Sequence, residues 1–205
     1  MKFASILAFA ALVEAAPTDP NFNAMEGYTC APGPKSGWAE RGDESCKFVA
    51  PVIPPPETVG GLEIGKCYQF SSKNFGGKAL RHRNGEVWVD KKNNQNALYK
   101  ADATWQVIKG LKGDPDTISL QASNFPELHV RHAHGLAFAQ PGGGPLYAAD
   151  GTFKVDKKGQ FVQFESVNFP GNKLRHSGFR LMLGNDDGSD LFDKDSSFAP
   201  REMPC

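Results

Sequence analysis

Three histidines stand at matched places in this chain. His82, His132 and His176 each follow an Asn-Phe pair, in "NFGGKALRH", "NFPELHVRH" and "NFPGNKLRH", eight residues after Asn74, Asn124 and Asn168. An aspartate then recurs 18 to 20 residues later: Asp102, Asp150 and Asp195, in "ALYKADATW", "PLYAADGTF" and "DLFDKDSSF". A neutral imidazole offers one donor and one acceptor at fixed ring positions, and a carboxylate only accepts. Together they can bracket adjacent hydroxyl groups on a small ring. A threefold copy of such a pair reads as three copies of one site.

Magnitude limits what one copy does. A neutral ligand held by three or four net hydrogen bonds of about 1 kcal/mol each gains about 4 kcal/mol. That corresponds to a Kd of about 1 mM. Three copies acting on one polymer raise the effective affinity through local concentration.

Each of these residues also has a structural reading. Every His shares strand parity with an apolar residue two before it (Leu80, Val130, Leu174), so it can point inward and brace its own repeat's Asp. Trp105, Phe153 and Phe198, three residues after each Asp, read as barrel core. Phe75, Phe125 and Phe169 also read as core. Asn74, Asn124 and Asn168 read as turn caps. Arg81, Arg131 and Arg175 read as partners in surface ion pairs. "NDDGSD" lacks the spaced oxygen ligands and closing Glu of a calcium loop and reads as a solvated turn.

The elements that must position these groups are short strands. "CYQFSS", "EVWVD", "TWQVI", "TISLQAS", "LAFAQ", "FKVD", "FVQFES" and "RLML" carry alternation or β-branched and aromatic residues, separated by turn-forming segments such as "NNQN", "PGGG" and "NDDGSD". No stretch keeps a helical period over three turns. Units of about 45 residues with four short strands are too few for a propeller. They predict an all-β fold of the β-trefoil type over 62–205, with repeats at about 62–111, 112–157 and 158–205. Residues 16–61, with "PVIPPPETVGG", read as an irregular Pro/Gly-rich arm and linker.

The opening "MKFASILAFAALVEAA" has one Lys, an apolar run and small closing residues, the pattern of a secretory signal peptide cut after Ala15, with Ala16 as the alternative. A secreted, extracellular chain is expected, with no membrane span. Lys plus Arg and Asp plus Glu both number 23, so net charge is zero. A neutral surface gives no electrostatic reason to bind nucleic acid or anionic membranes, and the expected partner is uncharged. Export permits disulfides among Cys30, Cys46, Cys67 and Cys205. The favoured pairs are Cys30–Cys46, pinning the arm, and Cys67–Cys205, joining the two ends of a closed barrel. No close Cys-x-x-Cys pair suggests a metal, and neither metal nor cofactor is expected.

The six phrases in register resemble the arabinose-binding domain of fungal arabinofuranosidase B enzymes, carbohydrate-binding module family 42, over about residues 62–205. The resemblance implies a β-trefoil whose repeats each hold an arabinofuranose side chain of arabinoxylan or arabinan. It implies a His and an Asp in each site: His82 with Asp102, His132 with Asp150, and His176 with Asp195. The catalytic domain that accompanies this module is not seen in the sequence.

The leading expectation is therefore a secreted, monomeric, non-catalytic protein from a fungus that binds arabinose-substituted polysaccharide. Two alternatives stand beside it. One is a small glycoside hydrolase using one pocket, with carboxylates drawn from Glu86, Asp90, Asp156 and Glu165 and asymmetry supplied by His129 and His134. The other is a secreted lectin-like interaction or effector protein.

Overall fold

The computed structural model describes residues 54–205 and, before them, only the antiparallel pair β1 (Tyr28–Thr29) and β2 (Lys47–Phe48). The chain divides into two compact units, 1–54 and 55–205. The expected signal peptide and the Cys30–Cys46 pair lie outside the described residues.

This unit begins with a small hairpin, β3 (Thr58–Val59) and β4 (Leu62–Glu63), whose Val59 and Leu62 are buried. Twelve further strands follow in one antiparallel sheet. Six of them form a ring: β5 (Cys67–Ser72), β8 (Trp105–Lys109), β9 (Thr117–Ala122), β12 (Phe153–Lys158), β13 (Phe161–Ser166) and β16 (Phe198–Met203). β16 closes it, pairing β13 at Val162↔Phe198 and β5 through six residue pairs. Three hairpins complete the sheet: β6 (Lys78–Arg83) with β7 (Glu86–Lys91), β10 (Phe125–Ala133) with β11 (Leu136–Gln140), and β14 (Asn172–Ser177) with β15 (Arg180–Asn185).

The all-β expectation holds, but the β-trefoil expectation is corrected to a closed antiparallel β-barrel. A barrel merely capped by hairpins was expected. Instead the hairpins are laddered into the same sheet as the ring strands, through the β5–β6, β9–β10 and β13–β14 pairings. They are also laddered to one another, at Phe138↔Glu86, Leu136↔Met182 and Arg180↔Trp88. Backbone bonds from Ala139, Leu183 and Val89 to the turn carbonyls of Gly85, Gly135 and Phe179 extend these contacts, at 3.0, 2.9 and 2.8 Å. The physical reason is edge satisfaction: a hairpin edge left unpaired exposes a row of donors and acceptors.

Strand alternation explains the core. Phe70, Trp105, Val107, Leu120, Phe153, Phe164 and Phe198 point inward from the ring strands and are fully buried. Leu80, Val130 and Leu174 do the same from the hairpins. Each such side chain contributes about 1.5–3 kcal/mol of burial. Trp105, Phe153 and Phe198 are core residues, as their spacing indicated. Where the hairpins converge, Arg180 Nη1 donates to the carbonyls of Val87 (2.6 Å) and Ala137 (2.5 Å), and its guanidinium lies over Trp88 and Phe138. One cation thus ties all three hairpins together.

The phrases that end in aspartate form helices, which strand parity did not anticipate. They are α1 (Ala97–Asp102), α2 (Pro145–Asp150) and α3 (Asp190–Ser196). Asn96 and Ser189 cap α1 and α3 by accepting from the backbone N–H groups of Tyr99 and Phe192, at 2.9 and 3.0 Å. Pro145 opens α2, where its missing N–H costs nothing. Six or seven residues are too few for a helical period to show in the sequence. A disulfide joins Cys67 to Cys205, the favoured pairing.

Candidate functional site

The His and Asp phrases of each repeat do converge, but a third residue joins them from the next repeat. Asn124 Nδ2 donates to Asp102 Oδ1 at 2.9 Å, and Asn124 Oδ1 lies 2.9 Å from His82 Nε2. Asn168 joins Asp150 (2.8 Å) and His132 (3.0 Å) in the same way. Asn74, from the first repeat, completes the circle with Asp195 (2.7 Å) and His176 (3.0 Å). The three clusters therefore sit at the three seams between repeats, called seams 1, 2 and 3 here after His82, His132 and His176.

This geometry replaces the direct brace that the sequence allowed. The His-to-Asp distances within a repeat are 3.8, 3.8 and 3.6 Å, beyond a hydrogen bond. It also replaces the turn-cap reading of the asparagines, whose side chains bridge His and Asp. A carboxylate only accepts, so each Asn must present its NH2 to the Asp and its Oδ1 to the His. The imidazole then donates from Nε2, and Nδ1 is left as an acceptor without a protein partner among the described residues.

The arginines are part of the site as well. Arg81, Arg131 and Arg175 donate from Nη2 to Oδ2 of Asp102, Asp150 and Asp195, at 2.9, 2.9 and 2.7 Å. These are half-buried arginines on buried carboxylates, not surface pairs. Each Asp is thus held by Arg on one oxygen and Asn on the other, with lone pairs to spare.

Burial pushes the imidazoles of His132 and His176 below the usual value of 6.5. For His132 the Asn168 bond and the Asp150 charge oppose this without reversing it. For His176 the Asp195 charge opposes it. The seams differ in one supporting residue. Ser166 Oγ lies 2.9 Å from His132 Nε2 and Ser72 Oγ lies 3.2 Å from His176 Nε2, whereas Ala122 holds the matching position beside His82.

Apolar side chains wall these polar floors. Phe125, Phe169 and Phe75 meet His82, His132 and His176 at ring separations of 5.9, 5.4 and 5.5 Å. Their exposures are 46%, 51% and 40%, so the core reading of these three rings is corrected. They directly follow the Asn, Phe125 as the first residue of β10, and their rings are exposed. Leu98, Leu146 and Leu191, from the second position of each helix, are exposed too. At seam 2 a cavity of about 430 Å3 opens over Arg131, His132 and Asp150, between Leu146 and Phe169. A floor of fixed hydrogen-bonding groups between apolar walls suits a ligand with one polar edge and one apolar face. The sequence signal for Asn and Phe was present in the repeated Asn-Phe pair; what hid their role was that each acts on its neighbour's repeat.

The carboxylates of the hydrolase alternative sit in two places, Glu86 and Asp90 along β7 and Asp156 and Glu165 on the paired strands β12 and β13. Asp90 lies 3.2 Å from Arg83, and Asp156 lies 3.2 Å from Lys173. Glu86 accepts from Trp88 Nε1 at 2.9 Å, and Glu165 lies on β13 opposite Lys154 and Lys173. His129 Nδ1 lies 3.0 Å from the Tyr147 hydroxyl, which itself donates to the Gln140 carbonyl. His134 lies in the β10–β11 turn at the rim of seam 2. No helix among the described residues is long and apolar enough to cross a membrane.

Comparison with known proteins agrees with the repeated phrases. A curated alpha-L-arabinofuranosidase B from Emericella nidulans is 49% identical over 41 residues, 20% of this chain and 8% of that protein. Among solved structures, an arabinofuranosidase complexed with arabinofuranosyl-alpha-1,2-xylobiose superposes with a TM-score of 0.63 at 18% identity, over 75% of this chain and 33% of that one. A GH54 a-l-arabinofuranosidase soaked with a cyclic sulfate inhibitor gives 0.62 at 18% identity, over 76% and 34%. The chain thus spans a small part of the curated relative and about a third of these structures. The family model of the Alpha-L-arabinofuranosidase B (ABFB) domain matches residues 57–155 and 157–203, so the chain belongs to the ABFB domain family.

Proposed function

We propose that this is a secreted, monomeric carbohydrate-binding protein that recognises arabinofuranosyl side chains of plant cell-wall polysaccharides, such as arabinoxylan and arabinan, at its seams. The observation that carries the reading is the threefold cluster of buried His and Asp with half-buried Asn and Arg at the foot of exposed Phe and Leu walls. Asp and the free imidazole nitrogen accept from sugar hydroxyls, and the Phe ring packs against the apolar face of the furanose. Its membership of the ABFB domain family supports arabinose as the sugar. Among the carboxylates offered for hydrolysis, Asp90 and Asp156 are held by Arg83 and Lys173 and Glu86 by Trp88, which favours binding over turnover. An uncharged polymer matches the zero net charge.

Isothermal titration with an arabinofuranosyl-substituted xylo-oligosaccharide tests the reading, with unsubstituted xylo-oligosaccharide as control and a product check afterwards. Saturable binding of the substituted sugar alone, without cleavage, is expected. Undiminished binding by the triple variant His82→Ala, His132→Ala, His176→Ala would sink it.

A further inference from the structure

The three hairpin turns are equivalent in backbone but not in sequence. Each carries two successive residues with positive φ: Asn84 and Gly85, His134 and Gly135, Gly178 and Phe179. The second position holds glycine in two turns and phenylalanine in the third, at φ 65°. A bulky side chain is a genuine outlier in that left-handed region. Such strain persists only where the surroundings over-determine it, and it clusters at functional sites.

The surroundings of Phe179 show what it does. Gly135 lines the seam 2 cavity, and a Cβ placed there meets nothing within 4 Å. A side chain at this position therefore enters the open room above His132. At seam 3 that room is taken. The Phe179 ring lies near-parallel to His176, with centroids 6.3 Å apart, and edge-on to Phe75 at 5.0 Å. The Lys78 ammonium covers its other side at 4.0 Å, where the matching residue in the seam 2 cavity is Asn172. The ring is held on three sides and is half-buried. Asp195 stays as exposed as Asp150, so the ring leaves the carboxylate uncovered.

We infer that Phe179 is a built-in occupant of the third pocket, which leaves seams 1 and 2 to take the arabinofuranosyl group. This rests on the proposed function for the identity of the ligand, but not for the filling itself. The three seams share one floor, and the chain uses a single turn residue to make one of them different.

The test is the titration above on wild type and Phe179→Gly, a change that also suits the left-handed backbone. Two bound sugars per wild-type chain and three per Phe179→Gly chain are expected, with His176→Ala in the Phe179→Gly background returning the count to two. Three sugars on wild type, or no gain in Phe179→Gly where wild type does bind sugar, overturns the inference. Crystal structures without sugar provide the independent arm. The Phe179 ring should fill seam 3 in wild type, and ordered water should replace it in Phe179→Gly. A ring swung out to solvent in wild type overturns the inference even if no sugar binds anywhere, whereas failure of all sugar binding with the ring in place refutes the proposed function and leaves the filled pocket standing.

Discussion

Asn168 reaches across a repeat boundary to donate to Asp150 at 2.8 Å, while its carbonyl oxygen receives His132. The residue belongs to one repeat and completes the pocket of the one before it. Removing it takes one partner from each of two buried groups, leaving Asp150 to Arg131 and His132 to Ser166. For Asn168→Ala we expect a loss of about 1–3 kcal/mol of stability, the usual cost of an unsatisfied buried polar group. Sugar binding at seam 2 should be lost with it. Denaturant unfolding and titration of the same variant check both, and an unchanged stability would show that the bridge is not formed in solution.

The two kinds of phenylalanine should separate cleanly. Phe169 is exposed and walls seam 2, whereas Phe153 is fully buried in the barrel. Phe169→Ala should change stability by no more than about 0.5 kcal/mol yet weaken sugar binding at its seam. Phe153→Ala should cost about 3–5 kcal/mol through the cavity it leaves. Paired thermal melts and titrations decide. A Phe169→Ala protein that binds sugar normally would mean the ring takes no part in recognition.

Acid should loosen the seams. Burial holds His129, His132 and His176 below 6.5, so the folded chain keeps them neutral where the unfolded chain begins to take up protons. The unfolded state then binds more protons, and stability that is complete above about pH 6.5 is lost as pH falls through the folded values. Melting temperature should therefore decline from pH 7 toward pH 5, with a shallower decline in His132→Gln. Sugar affinity should fall over the same range, because the incoming proton takes Nδ1, the acceptor. A flat stability profile across this window would contradict the buried, neutral imidazoles.

The Cys67–Cys205 bond closes a loop with a sequence separation of 138 residues. In the chain-entropy model a loop of that size is worth about 5 kcal/mol, by limiting the unfolded chain. Cys205→Ser, or reductant during a chemical melt, should lower the midpoint strongly. An unaltered midpoint in Cys205→Ser would mean that the β5–β16 ladder alone holds the ends together.

Much of this was legible in the sequence for identifiable reasons. Alternating strands such as "FVQFES" announced an all-β fold, because a pleat with one buried face writes its pattern with period two. The His and Asp phrases announced the three clusters, because three copies in register are hard to miss. The helices were not legible, since "ALYKAD" is too short to display a helical period and its cap, Asn96, resembles any loop asparagine. The pairing that ladders the hairpins to one another was not legible either. It depends on turn carbonyls such as that of Gly135, which has no side chain to signal it. Phe75, Phe125 and Phe169 misled because exposed aromatic residues run against the usual preference for burial; only their place after the bridging Asn sets them apart.

The circular hand-over of asparagines has a consequence for inheritance. Asn74 serves the last repeat, Asn124 the first and Asn168 the second. Drift in one repeat is therefore felt in the pocket of its predecessor, and selection on a pocket acts on two stretches of gene rather than one. An ancestral single unit, before duplication, could build such a pocket only by borrowing an asparagine from another molecule of itself.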